Sequence, residues 1–209
     1  MNRVFIYWDN SNIFIGAQAE AEEREGASAR HRVRVNFRNV MKLASAERPV
    51  EKAIAAGSVP PELRRLWNRL ESEGVKVELV DRGSVERGEQ QGPDRILQLQ
   101  MLRDFADYNG DAGVAVVLTG DGQGFYDGAG FHADLERMHR RGWRVEVISW
   151  ANSCNQRMRR WVEENGVFIP LDDYYEAVTF LNPSSPDYPT ADPRESAALD
   201  LADRPSASA

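Results

Sequence analysis

The chain has 209 residues, of which 42% are hydrophobic and 28% charged, and its formal net charge is −7. That length suits one good-sized domain and is short for two, and the acidic balance argues against a protein that coats nucleic acid nonspecifically. No apolar run approaches the roughly 20 residues of a membrane span, so no membrane role is expected.

The first element is Val4–Trp8, a run of apolar β-formers that reads as a short buried strand. It ends on Asp9, and Ser11 and Asn12 suit the start of a helix from about Asn12. Ala17–Arg34 is rich in Ala, Glu and Arg and is expected to extend that helix before a mobile loop. Asn36–Ala46 reads as a helix with Val40, Leu43 and Ala44 on one face, and Val50–Ala56 as a weak strand. Pro60-Pro61 fits a helix start, with Leu63, Leu66, Trp67 and Leu70 as its apolar stripe and Gly74 at its end. Val75–Val80 alternates like a strand and ends at Asp81, after which Arg82–Gly92 reads as a loop. Pro93 opens a helix to about Tyr108, with Asp94 in its first turn, where a negative charge suits the helix dipole.

Val114–Thr119 is the second clear apolar strand, followed by Gly120, Asp121 and a glycine-rich loop to Gly130. The remaining elements are a helix over His132–Arg141, a strand over Arg144–Trp150, a helix over Asn155–Glu164 and a short strand over Val167–Ile169. Strands alternating with helices predict an α/β fold with a mostly parallel sheet. From Pro183 the chain is rich in Pro, Ser, Ala and Asp and has little to bury, so residues 182–209 are expected to form a disordered tail on a domain of residues 1–181.

Two core strands that deliver Asp9 and Asp121 to the same sheet edge suggest an acidic site for a divalent metal, because that edge is where open α/β sheets bind ligands. Taken singly, Asp9 reads as a helix cap and Asp121 as the start of a turn. Taken as a pair, with Asp94 as a third acid if its helix begins at that edge, they read as ligands. Hard cations such as Mg²⁺ and Mn²⁺ take oxygen ligands. Asn12 and Thr119 are placed to position a water or a phosphate oxygen, while Asp81 and Asp172 also follow predicted strands and compete for the same role. Arg137, Arg140, Arg141, Arg144, Arg157, Arg159 and Arg160 crowd a short stretch and suit either phosphate binding or solvated helix faces.

Other chemistries lack their residues. The only cysteine, Cys154, excludes an internal disulfide, has no evident base partner and reads as a small buried residue. Together with a strand where a signal peptide would begin, it leads us to expect a cytoplasmic protein. His31, His132 and His139 lack zinc-ligand spacing. There is no dinucleotide fingerprint, no phosphate-binding Gly-Lys-Ser/Thr loop and no serine-hydrolase elbow.

Trp8-Asp9-Asn-Ser-Asn12, Gly92-Pro93-Asp94, Leu118-Thr119-Gly120-Asp121 and Gly142-Trp143 through Ser149-Trp150 resemble the NYN domains of the PIN-like superfamily of metal-dependent ribonucleases. The resemblance covers roughly residues 3–180. It implies a Rossmann-like three-layer α/β/α sandwich, a Mg²⁺ or Mn²⁺ site, and hydrolysis of phosphodiesters in RNA, either single-stranded or a structured small RNA. By motif match Asp9, Asp94 and Asp121 are the implied metal ligands, and Asn12 and Thr119 the supporting polar groups.

The chain departs from the commonest family pattern at two places. Gln123 stands where many members have a second Asp, and Gln100 where many have an acid in the central helix. Glutamine brings no charge to a metal, and Asp127 or Asp134 would have to compensate. The rival expectation is therefore a noncatalytic RNA- or nucleotide-binding module with a degenerate site. A haloacid-dehalogenase-like phosphatase ranks below both, because Ser11 occupies the place of the second Asp that chemistry needs.

Overall fold

The structure is a computed structural model that describes residues 3–59, 68, 71–72, 74–81, 93–120, 129–183 and 191–207. Most of the helix expected after Pro60, the loop at 82–92 and residues 121–128 of the glycine-rich loop lie outside the described residues.

Six strands, β1 (Val4–Asp9), β3 (Val50–Val59), β4 (Lys76–Asp81), β5 (Val114–Leu118), β6 (Arg144–Ser149) and β7 (Val167–Pro170), form one sheet. Their order is β4-β3-β1-β5-β6-β7, every neighbouring pair parallel. Parallel sheets need helices on both faces, which is why β1 and β5 are near-continuous apolar runs rather than alternating ones. Both are buried at every residue.

Alternate side chains of β1 feed two cores. Val4, Ile6 and Trp8 face α1 (Asn10–Glu25) and α3 (Phe37–Ser45), meeting Ile13, Ala17, Val40 and Leu43. Phe5 and Tyr7 face α4 (Pro93–Asp107), α5 (Phe131–Arg140) and α6 (Gln156–Asn165), meeting Leu97, Met101, Leu135, Met158 and Val162. The result is the three-layer α/β/α sandwich with a parallel central sheet. No helix among the described residues is long and apolar enough to cross a membrane.

Several local expectations change. The weak strand at Val50–Ala56 runs on to Val59, because β3 lies between β1 and β4 and pairs on both sides. Ladder bonds and burial there outweigh the low strand preference of its alanines and glycine. The long first helix ends at Glu25, where Gly26 adopts φ 89° and its N–H bonds to the Glu22 carbonyl. A short α2 (Ala27–Arg32) follows, and then β2 (Val33–Val35), which pairs antiparallel with β8 (Thr179–Leu181) in place of a mobile loop.

The expected disordered tail is also corrected for residues 191–207, which lie against the body. Arg194 pairs with Glu25 and stacks over the Tyr175 ring. Leu199 and Leu201 pack on the core, and Arg204 is 7% exposed. Composition underestimated this segment because its anchors are two arginines and a few leucines that find buried partners far away in sequence.

Candidate active site

Asp9 is the last residue of β1 and is 1% exposed. It caps α1: the Asn12 backbone N–H donates to Asp9 Oδ1 at 3.2 Å, and the Asn12 side-chain amide donates to the other carboxylate oxygen. The cap reading and the site reading of Asp9 are therefore compatible. A carboxylate has about four acceptor positions, and Asn12 uses two while fixing the orientation of the group.

In the β1–β5 register Trp8 lies beside Leu118, so Thr119 leaves β5 next to Asp9 at the carboxyl edge of the sheet. Thr119 is fully buried, and its Oγ1 has no hydrogen-bond partner among the described residues. The buried Asn10 Oδ1, in the first turn of α1, is unpartnered in the same sense. A buried unpaired oxygen costs about 1–3 kcal/mol. The Thr119 hydroxyl next to the buried Asp9 carboxylate makes an oxygen donor pair of the kind that Mg²⁺ or Mn²⁺ and their waters take, so the residues present fit such an ion. Sequence reasoning missed Asn10; its only signal is its position next to Asp9.

Asp94 sits in the first turn of α4. The opposite end of that helix is fixed: Tyr108 packs edge-on against Phe5 and Trp143, at 5.0 and 5.9 Å between ring centroids, near the starts of β1 and β6. Fifteen helical residues rise roughly 22 Å, about the length of a six-residue strand, so the first turn of α4 reaches the edge where Asp9 lies. Asp121 and the side chain of Asp94 lie outside the described residues, as do Gln123, Asp127 and the side chain of Asp81. Among the described residues no group of three or more His, Cys, Asp or Glu gathers to hold a metal.

Gln100 takes its partner on its own helix. Its amide donates to Asp104 at 2.8 Å, and the same buried carboxylate accepts from Tyr7 at 3.1 Å and Lys52 at 2.5 Å. Burial, and then Asp104, push the Tyr7 hydroxyl far above the usual phenol range. A glutamate at position 100 would face Asp104, which explains the departure locally.

Asp134, in the first turn of α5, is 3% exposed, and burial pushes its carboxyl up to about 6 against the pull of Arg137. Asp172, a competitor by sequence, spends a carboxylate oxygen on the Ala151 N–H at 2.8 Å. Burial pushes the Cys154 thiol up to about 11, so it is an inert core group, as expected.

The family model of the NYN domain matches residues 3–171. No curated protein and no solved structure matches the chain. The family match spans all six strands of the parallel sheet, and the chain therefore belongs to the NYN domain family, a family of PIN-like nucleases.

Proposed function

We propose that the protein is a metal-dependent ribonuclease that hydrolyses phosphodiester bonds of RNA at the sheet edge where Asp9 lies. The observation that carries this reading is the buried Asp9 carboxylate beside the Thr119 Oγ1, which has no partner among the described residues, within a family of nucleases that generally use divalent metals. Asp9, Asp94 and Asp121 would hold Mg²⁺ or Mn²⁺. When bound, such an ion lowers the pKa of a water and offsets charge on a phosphate oxygen. Asn12 holds the Asp9 carboxylate in one orientation. Thr119 offers its hydroxyl to a phosphate oxygen or to the attacking water, and burial of both side chains excludes bulk solvent.

A second reading, RNA binding without cleavage, is favoured by Gln100, whose amide is committed to Asp104 and brings no charge to the site. Cleavage of a panel of RNAs with Mg²⁺ or Mn²⁺ separates the two. Asp9→Asn is the control, since asparagine also caps a helix and leaves the fold intact. Metal-dependent cleavage by the native chain that Asp9→Asn abolishes supports the enzyme. RNA binding with no cleavage under any metal supports the binding module.

A further inference from the structure

The helices α5 and α6 follow the adjacent parallel strands β5 and β6, so both begin at the sheet edge that carries Asp9 and Thr119. The start of α6 is tied to that edge. The Asn155 N–H donates to the Gly120 carbonyl at 3.1 Å, and a Cβ added at Gly120 would stand 2.9 Å from Ser153 Oγ. Between the two helices lies an open cleft of about 490 Å³.

Arg157, Arg160, Trp161 and Glu164 line it from α6, at the spacing of one helix face. His132 lines it from α5, with its ring 5.3 Å from that of Trp161 and tilted by 49°. Burial lowers the pKa of His132 against the opposing pull of Glu136, 3.3 Å from its Nε2, and its ring serves as an aromatic wall of the cleft. The cleft carries charges of both signs. Arg157 and Arg160 are exposed in the first half of α6, nearest the acidic edge, where the helix N-terminus also favours anions, while Glu164 lies at the far end and Glu136 lines the α5 side, paired with His132 and Arg140. Arg160 forms no ion pair among the described residues, whereas Arg159, on another face, is spent on Glu163.

We propose that this cleft is a nucleotide subsite for single-stranded RNA, with a base laid against Trp161 and the adjoining phosphates on Arg157 and Arg160. The proposal rests on the reading of the neighbouring edge as an RNA-cleaving site. A half-buried indole flanked by exposed arginines is the combination that binds unpaired nucleotides, because the ring takes a base face and the guanidinium groups take the backbone. Bases stacked inside a duplex cannot reach such a ring. The cleft would hold nucleotides to one side of the scissile phosphate and leave bond breaking to the acidic edge.

The test uses the full chain in metal-free buffer, a short unstructured oligoribonucleotide, the matching duplex, and inorganic polyphosphate. The double variant Arg157→Glu/Arg160→Glu should weaken single-strand binding at least tenfold. It should also reduce the slope of log affinity against log salt by about 1.4, two phosphates at about 0.7 each. Arg30→Glu/Arg38→Glu, on the opposite face of the sheet, changes net charge equally and should have far less effect. The single strand, but not polyphosphate, should quench the tryptophan emission, and Trp161→Phe should remove that quench while keeping most of the affinity.

Unchanged binding by the Arg157/Arg160 variant overturns the proposal, as does equal weakening by the control pair, a quench that survives Trp161→Phe, or no single-strand binding by the native chain. The nuclease reading is scored separately, by Mn²⁺-dependent cleavage and its loss in Asp9→Asn. Binding through the cleft with no cleavage leaves the subsite standing and removes the enzyme.

Discussion

Asp9 does two things with one carboxylate: it closes the first turn of α1 and it faces the carboxyl edge of the sheet. Neutralising it without removing the cap separates these roles. Asp9→Asn should keep the melting temperature within a few degrees and lose metal-dependent cleavage, whereas Asp9→Ala should also lose about 1 kcal/mol of stability with the cap. Both are checked by thermal melts beside the nuclease assay. Thr119 gives a sharper test. Its Oγ1 is buried without a partner among the described residues, so Thr119→Val, which keeps the shape, should leave stability unchanged or raise it. If the hydroxyl serves a substrate or water, the same change should lower the cleavage rate at saturating RNA about tenfold or more, read as kcat against Tm. A divalent ion that binds only the folded chain must stabilise it. Mn²⁺ should therefore raise the melting temperature, and Asp121→Asn should blunt that rise.

At the scale of elements, α1 is positioned by an unusually close approach. The Trp150 indole N–H donates to the Ile13 carbonyl at 2.8 Å, and the ring fills the space over Gly16, where an added Cβ would come within 2.1 Å of it. In an exposed helix Gly→Ala gains about 1 kcal/mol. Here Gly16→Ala should instead cost roughly 1–3 kcal/mol by overpacking, measurable by urea unfolding. The strands were legible in sequence because burial on both faces demands long apolar runs, as in Val4–Trp8 and Val114–Thr119. The apolar face of α3, Val40, Leu43 and Ala44, was legible because its period is local. The extent of β3, and the pairing of β2 with β8, were not, because their partners lie far along the chain.

At the scale of the molecule, the C-terminal segment closes over the amino end of β6. Glu146 is fully buried. Arg48 donates to it at 2.6 and 2.8 Å, Arg204 at 2.7 Å and the Ala207 N–H at 2.9 Å. Burial alone would raise its pKa, but the hydrogen bonds from the two arginines outweigh that and hold the carboxyl below the usual glutamate value. A depressed folded-state pKa contributes stability that is present above the ordinary glutamate value and lost as pH falls through the depressed one. Arg204→Met should therefore cost about 3 kcal/mol near neutrality, with the acid unfolding midpoint moved to higher pH. Adding Glu146→Gln should make the loss of Arg204 cheaper, which a double-mutant cycle of denaturant melts would read. A chain cut after Pro183 should be destabilised in the same way.

The sequence by itself determined the α/β class, the order of the principal strands and the placing of Asp9 at a strand end, because each depends on local apolar runs and their boundaries. It also pointed to the family through a few short motifs clustered at those boundaries. Only the tertiary structure decided that Gln100 turns to Asp104, that Thr119 is buried without a partner among the described residues, and that Arg204 crosses the molecule to Glu146. These outcomes depend on which distant groups compete for one buried polar atom, and no local pattern in the chain encodes that competition.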